Sequence, residues 1–128
     1  MHPRILVERA VPIPMRDGVR LTADIYRPDT DQKVPAILSR TPYDKGSLRN
    51  FDLTLNAIRA AEQGYAVIFQ DVRGRWLAEG DFYPFTNEVE DGYDSVEWVA
   101  AQPWCSGPVG MVGGSYIGAT QWLAAISQ

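Results

Sequence analysis

Three short stretches of the chain are continuously apolar: Val34-Pro35-Ala36-Ile37-Leu38, Ala66-Val67-Ile68-Phe69 and Val109-Gly110-Met111-Val112. Runs of this length and evenness are what strands buried on both faces require, and they predict a parallel sheet. Between them lie two helical patterns. Leu53 to Gln63 is closed by Gly64 as a C-terminal cap, and Glu88 to Ala101 is opened by Asn87 with Glu90 at capping-box spacing. In the second helix Val89, Tyr93, Val96 and Ala100 share one face, which assigns Asp91, Asp94 and Glu97 to the solvated side. Upstream, Ile5 to Met15 mixes β-branched with polar residues and runs into Arg16-Asp17-Gly18, where Asp-Gly marks a tight turn before a second strand, Val19 to Tyr26. That second strand alternates: Val19, Leu21, Ala23 and Ile25 point one way, Arg20, Thr22, Asp24 and Tyr26 the other. One buried face predicts a position at the edge of the sheet. The last segment, Tyr116 to Ser127, is helical, with Ala119, Leu123 and Ile126 at helical spacing.

Strand, helix, strand, helix, strand is the order of an α/β fold, a parallel sheet flanked by helices and entered here through an antiparallel hairpin. At 128 residues there is room for one domain, and neither an internal repeat nor a low-complexity linker divides residues 1–128. A composition of 45% hydrophobic and 22% charged residues is that of a globular protein. The net charge of −4 and the lack of a Lys/Arg stripe argue against nucleic acid as a partner. Cys105, placed in a loop before the third apolar run, is the single cysteine, so no internal disulfide can form, and with one histidine it makes no metal-ligand set. Neither metal nor cofactor is expected. Met1 to Arg9 does not read as a signal peptide and no window is apolar enough to span a membrane, so the expected location is the cytoplasm, away from membranes.

Chemistry concentrates in Val109-Gly110-Met111-Val112-Gly113-Gly114-Ser115-Tyr116-Ile117-Gly118, where a serine flanked by glycines stands between an apolar strand and a helix. A nucleophile elbow needs this arrangement. The sharp turn projects the serine oxygen from the sheet edge, small neighbours relieve crowding, and the helix N-terminus offers N–H groups to a developing oxyanion. The spacing departs from G-x-S-x-G, because Gly118 comes three residues after Ser115. Taken alone, the segment equally fits a strand-to-helix turn with Ser115 as an ordinary N-cap.

The wider chain decides between them. Met15-Arg16-Asp17-Gly18-Val19-Arg20-Leu21, Tyr26-Arg27-Pro28, Arg40-Thr41-Pro42-Tyr43, Asp71-Val72-Arg73-Gly74-Arg75, Glu79-Gly80, Asp91-Gly92-Tyr93-Asp94, Gln102-Pro103-Trp104 and Gly113-Gly114-Ser115-Tyr116-Ile117-Gly118 follow one another in order. In these pieces the chain resembles the N-terminal part of the cocaine esterase and X-prolyl dipeptidyl-peptidase family of α/β-hydrolases. The resemblance implies an elbow of the form Gly-x-Ser-Tyr-x-Gly, which accounts for the displaced glycine. It implies Ser115 as the nucleophile of a serine hydrolase that cleaves ester or amide bonds through an acyl-enzyme. Tyr43 would lend its hydroxyl, and Tyr116 its backbone N–H, to the oxyanion hole. For Asp71-Val72-Arg73-Gly74-Arg75, at the carboxyl end of a predicted strand, it suggests a loop-organising role, in keeping with an Asp and two Arg that brace loops through ion pairs. Trp76 stands where the family would have a small residue.

A serine hydrolase also needs a base and usually an acid to orient it, and in this fold they follow the serine in the chain. The 13 residues after Ser115 contain no Asp, Glu or His, and the only histidine, His2, lies near the N-terminus on the wrong side of the serine. The resemblance places later strands, a helical cap and a β-sandwich domain beyond this point, so the expectation is an incomplete α/β-hydrolase fold in which they are absent. The strand at Val109 to Val112 would then keep an open apolar edge, which invites homo-oligomers. Two other readings stand beside the enzyme: an inert fragment or binding module, and a chain that pairs with a second one supplying the Asp and His.

Overall fold

The computed structural model describes residues 4–41, 56–74 and 88–111. They form a five-stranded mixed sheet: β1 (Ile5–Pro14), β2 (Arg20–Pro28), β3 (Val34–Thr41), β4 (Ala66–Asp71) and β5 (Cys105–Met111), in the order β1-β2-β4-β3-β5. Helix α1 (Ala57–Glu62) connects β3 to β4, and α2 (Glu88–Ala100) connects β4 to β5. The β3, β4 and β5 strands are mutually parallel, as their apolar runs predict, with Leu38 opposite Ile68 on one side and Met111 on the other.

The chain enters through the expected hairpin. Pro14 pairs with Arg20 across a turn closed by Met15 N–H to Val19 O (2.8 Å) and Gly18 N–H to Met15 O (2.9 Å). Gly18 takes φ +86°, where a Cβ would be strained, and Asp17 Oδ1 accepts from Val19 N–H at 3.1 Å.

The second strand is not at an edge, contrary to its alternating pattern. It lies between β1 and β4, antiparallel to both, and Leu21, Ala23, Asp24, Ile25 and Tyr26 are all buried. Its apolar face joins Ile13, Leu38, Ile68, Val99 and Cys105 in the larger core beneath α2. Its other face is covered by α1: Tyr26 packs with Ala57, Val67 and Phe69, its ring 6.0 Å from that of Phe69 and nearly edge-on. Asp24 survives burial there because it accepts hydrogen bonds from Ala10 N–H at 2.9 Å and from the Arg9 guanidinium at 3.4 Å. The donor at Ala10 is presented by a bulge in β1 between Glu8 and Val11, with Ala10 held at φ +53°.

Helix α1 starts later than its apolar pattern suggests, because Asn56 caps it by accepting from Arg59 N–H at 3.1 Å. Gly64, at φ +97°, ends it as expected. Helix α2 is turned about a third of a turn from the face predicted for it. Asp91, Gly92, Ser95 and Val99 are buried, Tyr93 and Ala100 are only partly so, and of the three assigned acids only Glu97 is exposed in that helix position. The cap at Asn87 and the helix from Tyr116 to Ser127 lie outside the described residues. Cys105 is not in a loop: it begins β5, opposite Val34, and is buried in the larger core.

Candidate active site

Parallel α/β sheets place their sites beyond the carboxyl ends of the strands, where successive connections diverge to opposite faces. Here the divergence is at β3. The chain passes from β3 through α1 to β4 on one side, then crosses through α2 to β5 on the other. The α1 helix packs on the Tyr26 and Phe69 face, while Val96, Trp98 and Val99 of α2 pack on the opposite one. The β3 and β4 strands therefore end side by side at Thr41 and Asp71, which are in register, while the described part of β5 reaches Met111, level with Leu38. Tyr43 follows Thr41 by two residues and Ser115 follows Met111 by four. Ser115, Tyr43 and Tyr116 themselves lie outside the described residues, as do His2, Arg75 and Trp76.

The edge is unusually polar for a sheet interior. Arg40, Gln70 and Asp71 are fully buried at the ends of β3 and β4, and Arg40 Nε donates to Gln70 Oε1. Nothing in the sequence marks Gln70, which simply follows an apolar run. Arg40 was visible only as the first residue of Arg-Thr-Pro-Tyr.

Immediately past β4, Arg73 makes a bidentate ion pair with Asp91. Its Nε and one terminal nitrogen donate to the two carboxylate oxygens of Asp91, both at 2.8 Å, and the other terminal nitrogen reaches Asp17 at 2.9 Å. The side chains of Arg73 and Asp91 are 11% and 3% exposed, that of Asp17 51%. The bidentate carboxylate, offset in part by burial and helped by Asp17, holds the guanidinium far above its ordinary titration range. Arg73 of that motif forms a brace, with Asp91 and Asp17 as its acids.

A second pair lies beside it. Arg16 donates to Asp94 through Nε (3.0 Å), a terminal nitrogen (2.8 Å) and its backbone N–H (3.0 Å), approaches Glu90 at 3.8 Å, and stacks over the Tyr93 ring at 5.8 Å. Solvation is therefore the wrong account of Asp91 and Asp94. Both belong to a network that straps the β1–β2 turn and the loop after β4 onto α2. Ser95 supports it from below, donating to Asp91 O at 2.7 Å.

The hydrogen bonds and charge of Arg16 hold the Asp94 carboxyl below its ordinary value of 3.8. A depressed carboxylate contributes stability that is complete above the unfolded value and is lost as pH falls through the folded one. The stability difference between the wild type and Asp94→Asn should thus be about 1 kcal/mol near pH 6, modest because Arg16 is half exposed, and should shrink towards pH 3. Urea unfolding at the two pH values checks it; a difference that grows on acidification would contradict the assignment.

No group of three His, Cys, Asp or Glu among the described residues could hold a metal ion, and no described helix is long and apolar enough to cross a membrane.

The comparisons with known proteins agree with this layout. Over 118 residues the chain is 48% identical to cocaine esterase of a Rhodococcus species, matching 91% of this chain and 21% of that protein. Among solved structures, a CocE/NonD family hydrolase from Staphylococcus aureus superposes with a TM-score of 0.83 at 28% identity, covering 94% of this chain and 25% of its own. An α-amino acid ester hydrolase superposes at 0.78 with 33% identity, covering 94% and 23%. The chain thus spans about a fifth of the length of the curated relative and about a quarter of the structural ones. Residues 17–128 match the X-Pro dipeptidyl-peptidase family, designated S15, and with those relatives this places the chain in that family of hydrolases.

Proposed function

We propose that this chain carries the nucleophile and the oxyanion hole of a serine hydrolase acting on ester or amide bonds, with Ser115 as nucleophile. The observation that supports it is the juxtaposition at the carboxyl edge. The segments bearing Tyr43 and Ser115 leave from neighbouring parallel strands at the point where the connections diverge. Chain length alone keeps Tyr43 within roughly 7 Å of Thr41 and Ser115 within roughly 14 Å of Met111, which allows both to serve one substrate carbonyl placed over that edge.

In this reading Ser115 Oγ gives its proton to a general base as it attacks the carbonyl carbon. The oxygen that becomes negative receives hydrogen bonds from the Tyr43 hydroxyl and the Tyr116 N–H. Collapse of the tetrahedral intermediate expels the alcohol or amine, protonated by the base, and leaves an acyl-serine. Water, deprotonated by the same base, then releases the acid and restores Ser115. His2, the only histidine among these residues, precedes Ser115 in the chain, whereas in this fold the base follows its serine. Esters are the favoured substrates because the 48% identical relative is an esterase by name.

Tyr43→Phe tests the oxyanion assignment. It should lower kcat for p-nitrophenyl acetate by about 100-fold with little change in KM, since the donor acts on charge that develops only in the transition state. Unchanged kcat would remove Tyr43 from the site.

A further inference from the structure

Within that reading, the network around Arg73 has a role beyond holding the fold together. We propose that Arg73 and Asp91 are positioning residues of the active site, a clamp that fixes the end of β4 against the helix underlying β3 and β5.

The argument is geometric. Arg73 stands two residues beyond Asp71, the last residue of β4 and the register partner of Thr41 in β3. Its guanidinium is anchored bidentately to Asp91 in the first half of α2. That helix packs its Val96, Trp98 and Val99 on the core formed by Leu38 and Ala36 of β3, Cys105 of β5 and their neighbours. The clamp thus closes a loop of contacts: β4 to β3 through the strand ladder, β3 and β5 to α2 through the core, and α2 back to β4 through Arg73. The two strand ends that precede Tyr43 and Ser115 are members of that loop.

A fork of two parallel N–H bonds fixes direction as well as distance, which an ammonium cannot do. Gly74, at φ +73°, then turns the chain immediately after the anchor. Asp17 adds contacts at 2.9 and 3.2 Å from the hairpin turn, but its carboxylate is half exposed and its removal leaves the fork to Asp91 in place, so it supports the guanidinium without setting its direction.

The clamp touches no reacting atom, so its loss should appear as misplacement: a fall in kcat at constant KM, larger than any loss of folded protein explains. The test uses the protein expressed from its complete gene, with Arg73→Lys, Asp91→Asn and, as a comparison, Asp17→Asn. For each, the thermal midpoint is measured first. The rate of labelling by a fluorophosphonate and kcat and KM for p-nitrophenyl acetate are then measured well below that midpoint. Arg73→Lys and Asp91→Asn should each lose about 10- to 100-fold in kcat and labelling rate with KM changed less than about twofold, and Asp17→Asn should stay within about threefold of wild type. If Arg73→Lys or Asp91→Asn melts earlier but keeps wild-type kcat and labelling while folded, the network is structural only and the proposal is overturned. If the wild type itself takes no label, the serine hydrolase reading falls and the clamp's catalytic role with it. The two failures are therefore distinct.

Discussion

Ser115→Ala should reduce ester hydrolysis by at least about 1,000-fold while leaving the thermal midpoint nearly unchanged. The size follows from what the serine does. With the nucleophile gone, only binding and oxyanion stabilisation remain to assist attack by water, and in serine hydrolases these give a small residue of the full acceleration. The near-silence in stability follows from the change itself, since removal of one hydroxyl creates no large cavity. If Ser115 were instead only the N-cap of the helix that follows, the effects would be reversed: about 1 kcal/mol lost in stability and full activity retained. Steady-state kinetics with p-nitrophenyl acetate and a urea unfolding curve on the same preparation separate the two.

Asp91→Ala should be the most destabilising single change in the described network, at about 3 kcal/mol. It removes the bidentate partner of a guanidinium that is 11% exposed, and the remaining carboxylate, Asp17, is 51% exposed. The charge of Arg73 is left largely buried with one partner in place of two, and that orphaning outweighs the lost attraction. The value sits at the low end for a broken buried pair because Asp17 and incoming water compensate in part. Replacing Arg73 and Asp91 together with apolar residues of similar volume should cost less than Asp91→Ala alone, since no charge is then stranded. Urea midpoints for the two singles and the double complete the cycle. A double change that cost the sum of the singles would show that the pair is not coupled.

The parts of the fold that the sequence made legible are those where local pattern and tertiary environment coincide. The apolar runs at Val34 and Ala66 become β3 and β4 because a strand covered on both faces has no reason to alternate, whereas Val109 lies in β5, which is parallel as expected but terminal among the described strands and exposed at Ser106, Gly107, Pro108 and Gly110. Gly18 and Gly64 stop their elements where the backbone needs positive φ.

The misplaced features are those where a polar residue is buried by a distant partner. The β2 strand looked like an edge because Asp24 and Tyr26 were read as solvent-facing. Burial of Asp24 depends on a bulge 14 residues earlier in the chain, and that of Tyr26 on Phe69 and α1. The acids of α2 were read as solvated because their arginines are remote: Arg73 lies 18 residues from Asp91, and Arg16 lies 78 from Asp94. Periodicity weighs residue type and cannot see a salt bridge.

The same distances explain what was legible of the site. Met15 to Leu21, Asp71 to Arg75 and Asp91 to Asp94 each stood out as a separate piece of the resemblance. That these pieces meet in one network could be seen only once the sheet order brought the hairpin turn, the β4 end and α2 together. For Ser115, Tyr43 and Tyr116 the order of motifs still supplies the assignment, and the described strands supply the edge they follow.

The most direct test of the central claim is intact-mass spectrometry after exposure of the folded wild type and of Ser115→Ala to a fluorophosphonate, both expressed from the complete gene. One phosphonyl adduct on the wild type and none on the variant is the result expected of a nucleophilic Ser115. No adduct on a folded wild type, or equal labelling of both proteins, would contradict it.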